Sequence, residues 1–190
     1  MKERKAPEPC FLVWLDMEMS GLDPEQNRIL EVAALLTDLD LAPGENYEQV
    51  VFQPPEVLDA MDDWCRKTHR KSGLTERVPH GAAEADVDAA LCRLLDTKGK
   101  DAGRAVLAGN SIAQDRKFVD RYLPQFAARL HYRMLDVSSF KVIFEHRLGY
   151  KIQKQNKHRA LDDIHESIAE LKLYLGMVDW GRKVFDAEVT

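Results

Sequence analysis

Apolar positions crowd into short unbroken runs in the first third of the chain and spread into helical stripes in the rest. Phe11-Leu12-Val13-Trp14 opens an apolar run over residues 11–18, the pattern of a strand covered on both faces. Ser20-Gly21-Leu22-Asp23-Pro24 then reads as a turn. Residues 28–37, RILEVAALLT, predict a second strand, with helix as a competitor because Leu, Glu and Ala favour it. DLAPGEN turns into a third strand over 47–53, so the three make an antiparallel meander. A helical region follows over 56–71, broken at Ser72-Gly73. The helix predicted over 82–97 carries Val87, Leu91, Leu94 and Leu95 at helical spacing. After a polar loop come a short buried strand at 105–109, helices at 111–123 and 124–130, and a last strand at 132–136. A helix at 138–147, a basic loop at 148–158 and a long helix at 159–180 complete the pattern. The fold class is α/β: a mixed sheet with a three-strand antiparallel meander, flanked by helices. One domain over 11–180 is expected between a flexible N-terminal segment, 1–10, and a C-terminal tail, 181–190.

Composition changes this picture in three ways. A chain of 190 residues with 45% hydrophobic content can bury a full core. Its 27 Lys and Arg against 32 Asp and Glu give a net charge of −5, which argues against coating long nucleic acid but leaves room for a short nucleotide ligand. Cys10, Cys65 and Cys92 are odd in number and scattered, which argues for a reducing compartment rather than disulfides or zinc. Neither a signal peptide nor a membrane span is visible. The expected location is the cytoplasm, or the mitochondrion had a longer precursor lost a targeting segment.

Chemistry enters at Asp16 and Glu18. Two residues apart on a strand, they point the same way, about 7 Å apart, with Leu15 and Met17 on the other face. Buried acids side by side repel unless a cation sits between them, and hard oxygen ligands suit Mg²⁺ or Mn²⁺. An exposed edge strand with two surface acids is the plain alternative. Asp115 shares one helical face with Ile112, Val119 and Tyr122, so a carboxylate occupies a buried stripe. There it needs an arginine or a metal. The third signal is His158-Arg159-Ala160-Leu161-Asp162-Asp163, where the last helix begins. Helix geometry barely separates Asp162 from Asp163. His158, in the loop before them, is placed either as a general base for a water or as a solvated surface residue.

In that order these residues resemble the DEDDh family of 3′→5′ exonucleases, which has a ribonuclease H-like fold. The motifs match at Asp16 and Glu18, at Asp115, and at His158 with Asp163; the five-residue spacing from His158 selects Asp163 over Asp162. Within the family, LDMEMSGLD, MDDWCRKTH, GNSIAQDRKF, HYRMLDVSS and HRALDDIHESIAEL look like the oligoribonuclease branch. The resemblance implies two divalent cations, Mg²⁺ or Mn²⁺, held by Asp16, Glu18, Asp115 and Asp163, with His158 as the base. It implies that Leu22 and Trp64 clamp the 3′ base, that His69 lies near the substrate, and that Ser111, Arg133 and Ser138 cap the 5′ phosphate. The expected substrate is short RNA, chiefly 5′-phosphorylated dinucleotides, and the product is 5′-mononucleotides. A homodimer is implied in which Tyr132 and Arg133 reach the neighbouring subunit's site. For Trp64, core packing is the reading its residue type alone favours. The competing functions are an exonuclease of longer RNA or DNA ends, an idle RNA-binding module, and a structural protein whose acids serve salt bridges.

Overall fold

A computed structural model describes residues 11–99, 105–149 and 160–178. The meander is formed by β1 (Leu12–Met19), β2 (Ile29–Thr37) and β3 (Pro43–Val50). β4 (Ala105–Gly109) and β5 (Leu130–Asp136) extend it to a five-stranded sheet of order β3-β2-β1-β4-β5. β1 and β2 pair antiparallel, as do β2 and β3, whereas β4 runs parallel to both β1 and β5. The competition between strand and helix at 28–37 resolves as strand because every residue of β2 is buried. A helix would have turned Glu31 and Thr37 into a different stripe; the strand gives Thr37 an acceptor role toward the Trp14 indole, whose Nε1 donates to Thr37 Oγ1 at 3.0 Å.

Helices cover both faces. Odd-numbered β1 residues, Val13, Leu15 and Met17, pack with α4 (Glu84–Asp96), α5 (Ala113–Tyr122) and α6 (Pro124–Ala127). Leu12 and Trp14 face α7 (Val137–Leu148) and α8 (Ala160–Gly176). A smaller third core gathers Leu30, Met61, Cys65, Leu74 and Val78 under α1 (Pro55–Asp59), α2 (Asp63–Lys71) and α3 (Leu74–Arg77).

Several boundaries differ from the pattern. β3 occupies 43–50 rather than 47–53, because Leu41, at φ 62°, closes a tight turn in which the Ala42 N–H donates to Asp38 Oδ1 at 2.9 Å. Val51 instead bridges to Ala82. The region 56–71 is two helices, since the Asp62 carboxylate accepts the Cys65 N–H at 2.7 Å and caps a new start. β5 begins at Leu130, paired with Ala105, so the preceding helix stops at Ala127. The segments 1–10 and 181–190, most of the basic loop, and His158 lie outside the described residues.

Candidate active site

The site forms where β1 outruns its parallel neighbour. β1 and β4 are registered only from Leu12↔Val106 to Trp14↔Ala108. Past that point β1 continues alone on that side, at the carboxyl ends of parallel strands, where open α/β sheets bind ligands. The face that carries Leu12 and Trp14 in the core carries Asp16 and Glu18 here, both half-buried, with Leu15 and Met17 buried opposite. Neither acid is on an edge strand, so the plain surface reading fails. Glu18 stands opposite Glu31 of β2, a fully buried carboxylate that Arg77 Nη1 reaches at 2.8 Å. Glu31 escaped the sequence reading, because only the strand register reveals that it faces Glu18.

Asp115 reaches the same place from α5. Gly109 ends β4 against β1 so closely that a Cβ there would meet the Leu15 carbonyl oxygen at 2.8 Å. Ser111, at φ 53°, then turns the chain into α5, whose first turn presents Asp115, 7% exposed. Burial pushes the Asp115 carboxyl up to about 7, against the backbone N–H groups, including that of Met17, that stabilise its charged form. Glu18 is pushed up to about 7 as well, first by burial and then by the charges of Asp163, Glu31 and Asp115. Asp163, in the first turn of α8, is thus within electrostatic reach of Glu18.

A buried polar network holds α8 to the end of β4. Asn110 Nδ2 donates to Ser167 Oγ at 2.8 Å and to Glu170 Oε2 at 3.1 Å. Ser167 Oγ donates to the Asp163 carbonyl at 2.9 Å, and the Tyr174 hydroxyl donates to Glu170 Oε1 at 2.8 Å. The helix turn that presents Asp163 is therefore pinned to the segment leading to Asp115. Asn110→Ala is expected to cost about 1–3 kcal/mol of stability, because two buried acceptors lose a donor. Urea unfolding of the variant beside the wild type measures it.

Asp16, Glu18, Leu22, Trp64, Cys65, His69, Ser111 and Asp115 line one cleft of about 530 Å³. Leu22 and Trp64 are 73% and 66% exposed, so Trp64 is no core residue. A fixed loop presents Leu22: Asp23 N–H donates to Asn27 Oδ1 at 3.0 Å, Arg28 N–H donates to Ser20 Oγ at 3.0 Å, and Gln114 donates to the Leu22 carbonyl. His69 is buried beneath, with Nε2 2.9 Å from the Met19 carbonyl and Nδ1 3.8 Å from Glu18 Oε2. The carbonyl can only accept, so Nε2 carries the proton and Nδ1 faces the carboxyl. Asp136, also missed from sequence, links two expected phosphate contacts: its Oδ1 accepts the Ser111 N–H at 3.0 Å and the Ser138 N–H at 2.9 Å. Tyr132 and Arg133 do not line this cleft. They stand exposed on β5, with the Arg133 guanidinium 5.1 Å from the Tyr132 ring centroid.

The donor set suits a hard divalent cation: carboxylates, partly desolvated, with the Glu18 and Asp115 equilibria displaced first by burial and then by neighbouring acids. Among the described residues, no three Asp, Glu, His or Cys side chains stand close enough to grip one ion as placed. Closing on a cation takes rotation about side-chain bonds between staggered positions. Nor, among the described residues, is any helix long and apolar enough to cross a membrane.

An exonuclease family model, RNase_T, matches residues 13–171. The chain is 47% identical over 174 residues to the oligoribonuclease of Azoarcus sp. (strain BH72), covering 89% of this chain and 95% of that one. It is 48% identical over 174 residues to that of Aromatoleum aromaticum, covering 89% and 94%. The human mitochondrial oligoribonuclease is 42% identical over 170 residues, covering 86% of this chain and 71% of the human one. Among solved structures, exonuclease I of Methylocaldum szegediense superposes with a TM-score of 0.68 at 18% identity, over 88% of this chain and 41% of that one. Escherichia coli exonuclease I bound to an oligonucleotide gives 0.65 at 14% identity, over 89% and 41%. At such identities these structures speak for the fold alone, which is the exonuclease, ribonuclease H-like one, and the chain spans about two fifths of their length. A carboxylate cleft at the end of β1, in a chain this similar along nearly its whole length, makes it a nuclease, a hydrolytic enzyme that belongs to the oligoribonuclease family of exonucleases.

Proposed function

We propose that the chain is a 3′→5′ exoribonuclease whose preferred substrates are 5′-phosphorylated dinucleotides, released as 5′-mononucleotides. The observation that carries this reading is the pair of exposed apolar side chains, Leu22 and Trp64, on the lip of a cleft floored by carboxylates. Large apolar groups left in water beside buried charge fit a terminal base, and stacking is sequence-tolerant because every base has a π face. Asp16, Glu18, Asp115 and Asp163 would hold two divalent cations, Mg²⁺ or Mn²⁺. When bound, the cations supply Lewis-acid stabilisation of charge on the attacking and departing oxygens. His158, expected at the mouth of α8, takes the proton of the attacking water. His69 fixes Glu18 from beneath. Ser111 offers its hydroxyl to the 5′ phosphate, Ser138 joins it once its hydroxyl turns from the Asp136 carboxylate to which it now donates, and Arg133 supplies its charge-assisted hydrogen bonds from a second subunit of a homodimer. A cytoplasmic location accords with the free Cys65 and Cys92.

Hydrolysis of 5′-labelled RNAs of two to ten nucleotides, with and without Mg²⁺, tests the reading. Turnover should fall steeply beyond the dinucleotide, and removing the 5′ phosphate should weaken binding by about 1.5–3 kcal/mol. Equal rates on two-mers and seven-mers would leave an exonuclease of longer RNA or DNA ends as the better account. His158→Ala should lower kcat by about 10²–10⁴-fold with little change in dinucleotide affinity, and raised pH should restore part of the rate. A loss seen only as weaker binding would make His158 a contact, not a base.

A further inference from the structure

We propose that the outer face of α2 captures short phosphodiester anions on their way into the cleft, an inference that rests on the dinucleotide reading above. α2 has two faces. Its inner one buries Cys65 and His69 at the cleft, and its first turn holds Trp64 at the mouth. Its outer one carries Arg66, Lys67, Arg70 and Lys71, all exposed, along one groove with Asp63. Residues three and four apart on a helix are neighbours, so these cations form a single stripe beside the cleft mouth.

Elsewhere among the described residues half of the cations are paired: Arg77 with Glu31, Arg116 with Asp120, Arg121 with Glu25, Arg129 with Asp96, Lys98 with Glu45 and Lys141 with Glu145. Among the described residues, Lys67, Arg70 and Lys71 have no carboxylate partner within 4.0 Å. A helix C-terminus attracts cations, which accounts for Arg70 and Lys71 but not for Lys67 a turn earlier.

The charge balance gives the stripe a task. The chain carries a net −5, and its cleft is lined by Asp16, Glu18, Asp62 and Asp115. A dinucleotide with one phosphodiester and a 5′ phosphate carries roughly −2.5 to −3. The proposed cations would offset the acids inside the cleft, and the stripe adds attraction outside it, where the ligand arrives. Such steering raises association rates by about 10–10³-fold and fades as salt shortens the screening length.

The test is the triple variant Lys67→Gln, Arg70→Gln, Lys71→Gln. Arg66 is left in place because its guanidinium donates to the Met61 carbonyl and holds the turn before α2. The readouts are kcat and kcat/KM on a 5′-phosphorylated dinucleotide and on its dephosphorylated counterpart, at about 0.02 M and about 0.5 M salt. At low salt, kcat/KM for the phosphorylated substrate should fall about tenfold with kcat unchanged, and less for the other; at high salt, variant and wild type should converge. An unchanged salt dependence, or a loss confined to kcat, overturns the capture surface alone. A wild type that fails to cleave dinucleotides overturns the function and this inference together. Should circular dichroism show the triple variant unfolded, Lys67→Gln alone should give a salt-sensitive loss of about twofold, and its absence overturns the proposal.

Discussion

Replacing Asp16, Glu18, Asp115 or Asp163 with alanine should lower turnover by about three orders of magnitude or more while the fold survives. In the proposed site each acid is a metal ligand, so losing one would misplace the ion and leave the others repelling. Near-full activity in EDTA would sink the metal site outright. The same group gives a prediction that needs no turnover. Glu18 and Asp115 hold their protons to about pH 7 in the folded chain, from ordinary values of 4.5 and 3.8. Between those limits the folded state binds more protons than the unfolded one, so the stability these two groups contribute is lost as pH rises through that window. Asp62 and Asp96, shifted the other way, act below their ordinary 3.8 and do not mask the effect. Metal-free wild type should therefore melt at lower temperature at pH 8 than at pH 5 relative to Glu18→Gln and Asp115→Asn. Parallel curves for all three proteins would mean that burial does not raise these carboxyls. Added Mg²⁺ should narrow the gap by stabilising the ionised wild type.

How much of this was legible in the chain follows from which interactions are local. Alternation along 11–18 placed Asp16 and Glu18 on one face, because strand geometry is a property of neighbours in sequence. Helical spacing put Asp115 on a buried stripe for the same reason, and it is buried. Glu31 was not legible: nothing in ILEVAALLT says which residue will stand opposite Glu18 until β1 and β2 are in register. Asp136 and the Asn110–Ser167–Glu170–Tyr174 network were missed for the same cause, their partners lying 25 to 60 residues away for Ser111 and Asn110. Trp64 was placed at the substrate by the resemblance and not by its residue type. Composition favours a buried tryptophan, but the Asp62 cap starts a new helix there and turns the indole outward. Boundaries slipped where a strand residue also suited a helix, as at Leu130.

The largest consequence outside the metal site concerns assembly, and it should appear as recovered activity when two dead variants are mixed. The two sheet edges differ. β3 exposes Glu45 and Glu48, charges that discourage pairing, whereas β5 exposes Tyr132, Arg133 and Met134, and α7, which follows it in the chain, exposes Val142 and Ile143, at 60% and 57%. An edge with two exposed apolar side chains and a single cation, Arg133, would suit a second copy, and a two-fold axis would make the contact reciprocal. In such a dimer Tyr132 and Arg133, which do not line their own cleft, would reach the partner's. Asp115→Ala cannot hold metal but still lends Arg133; Arg133→Ala holds metal and lends nothing useful. A mixed dimer contains one complete site. With random exchange half of the dimers are mixed, so about a quarter of wild-type activity should return. No recovery despite confirmed exchange would put Arg133 in its own subunit's site or outside catalysis.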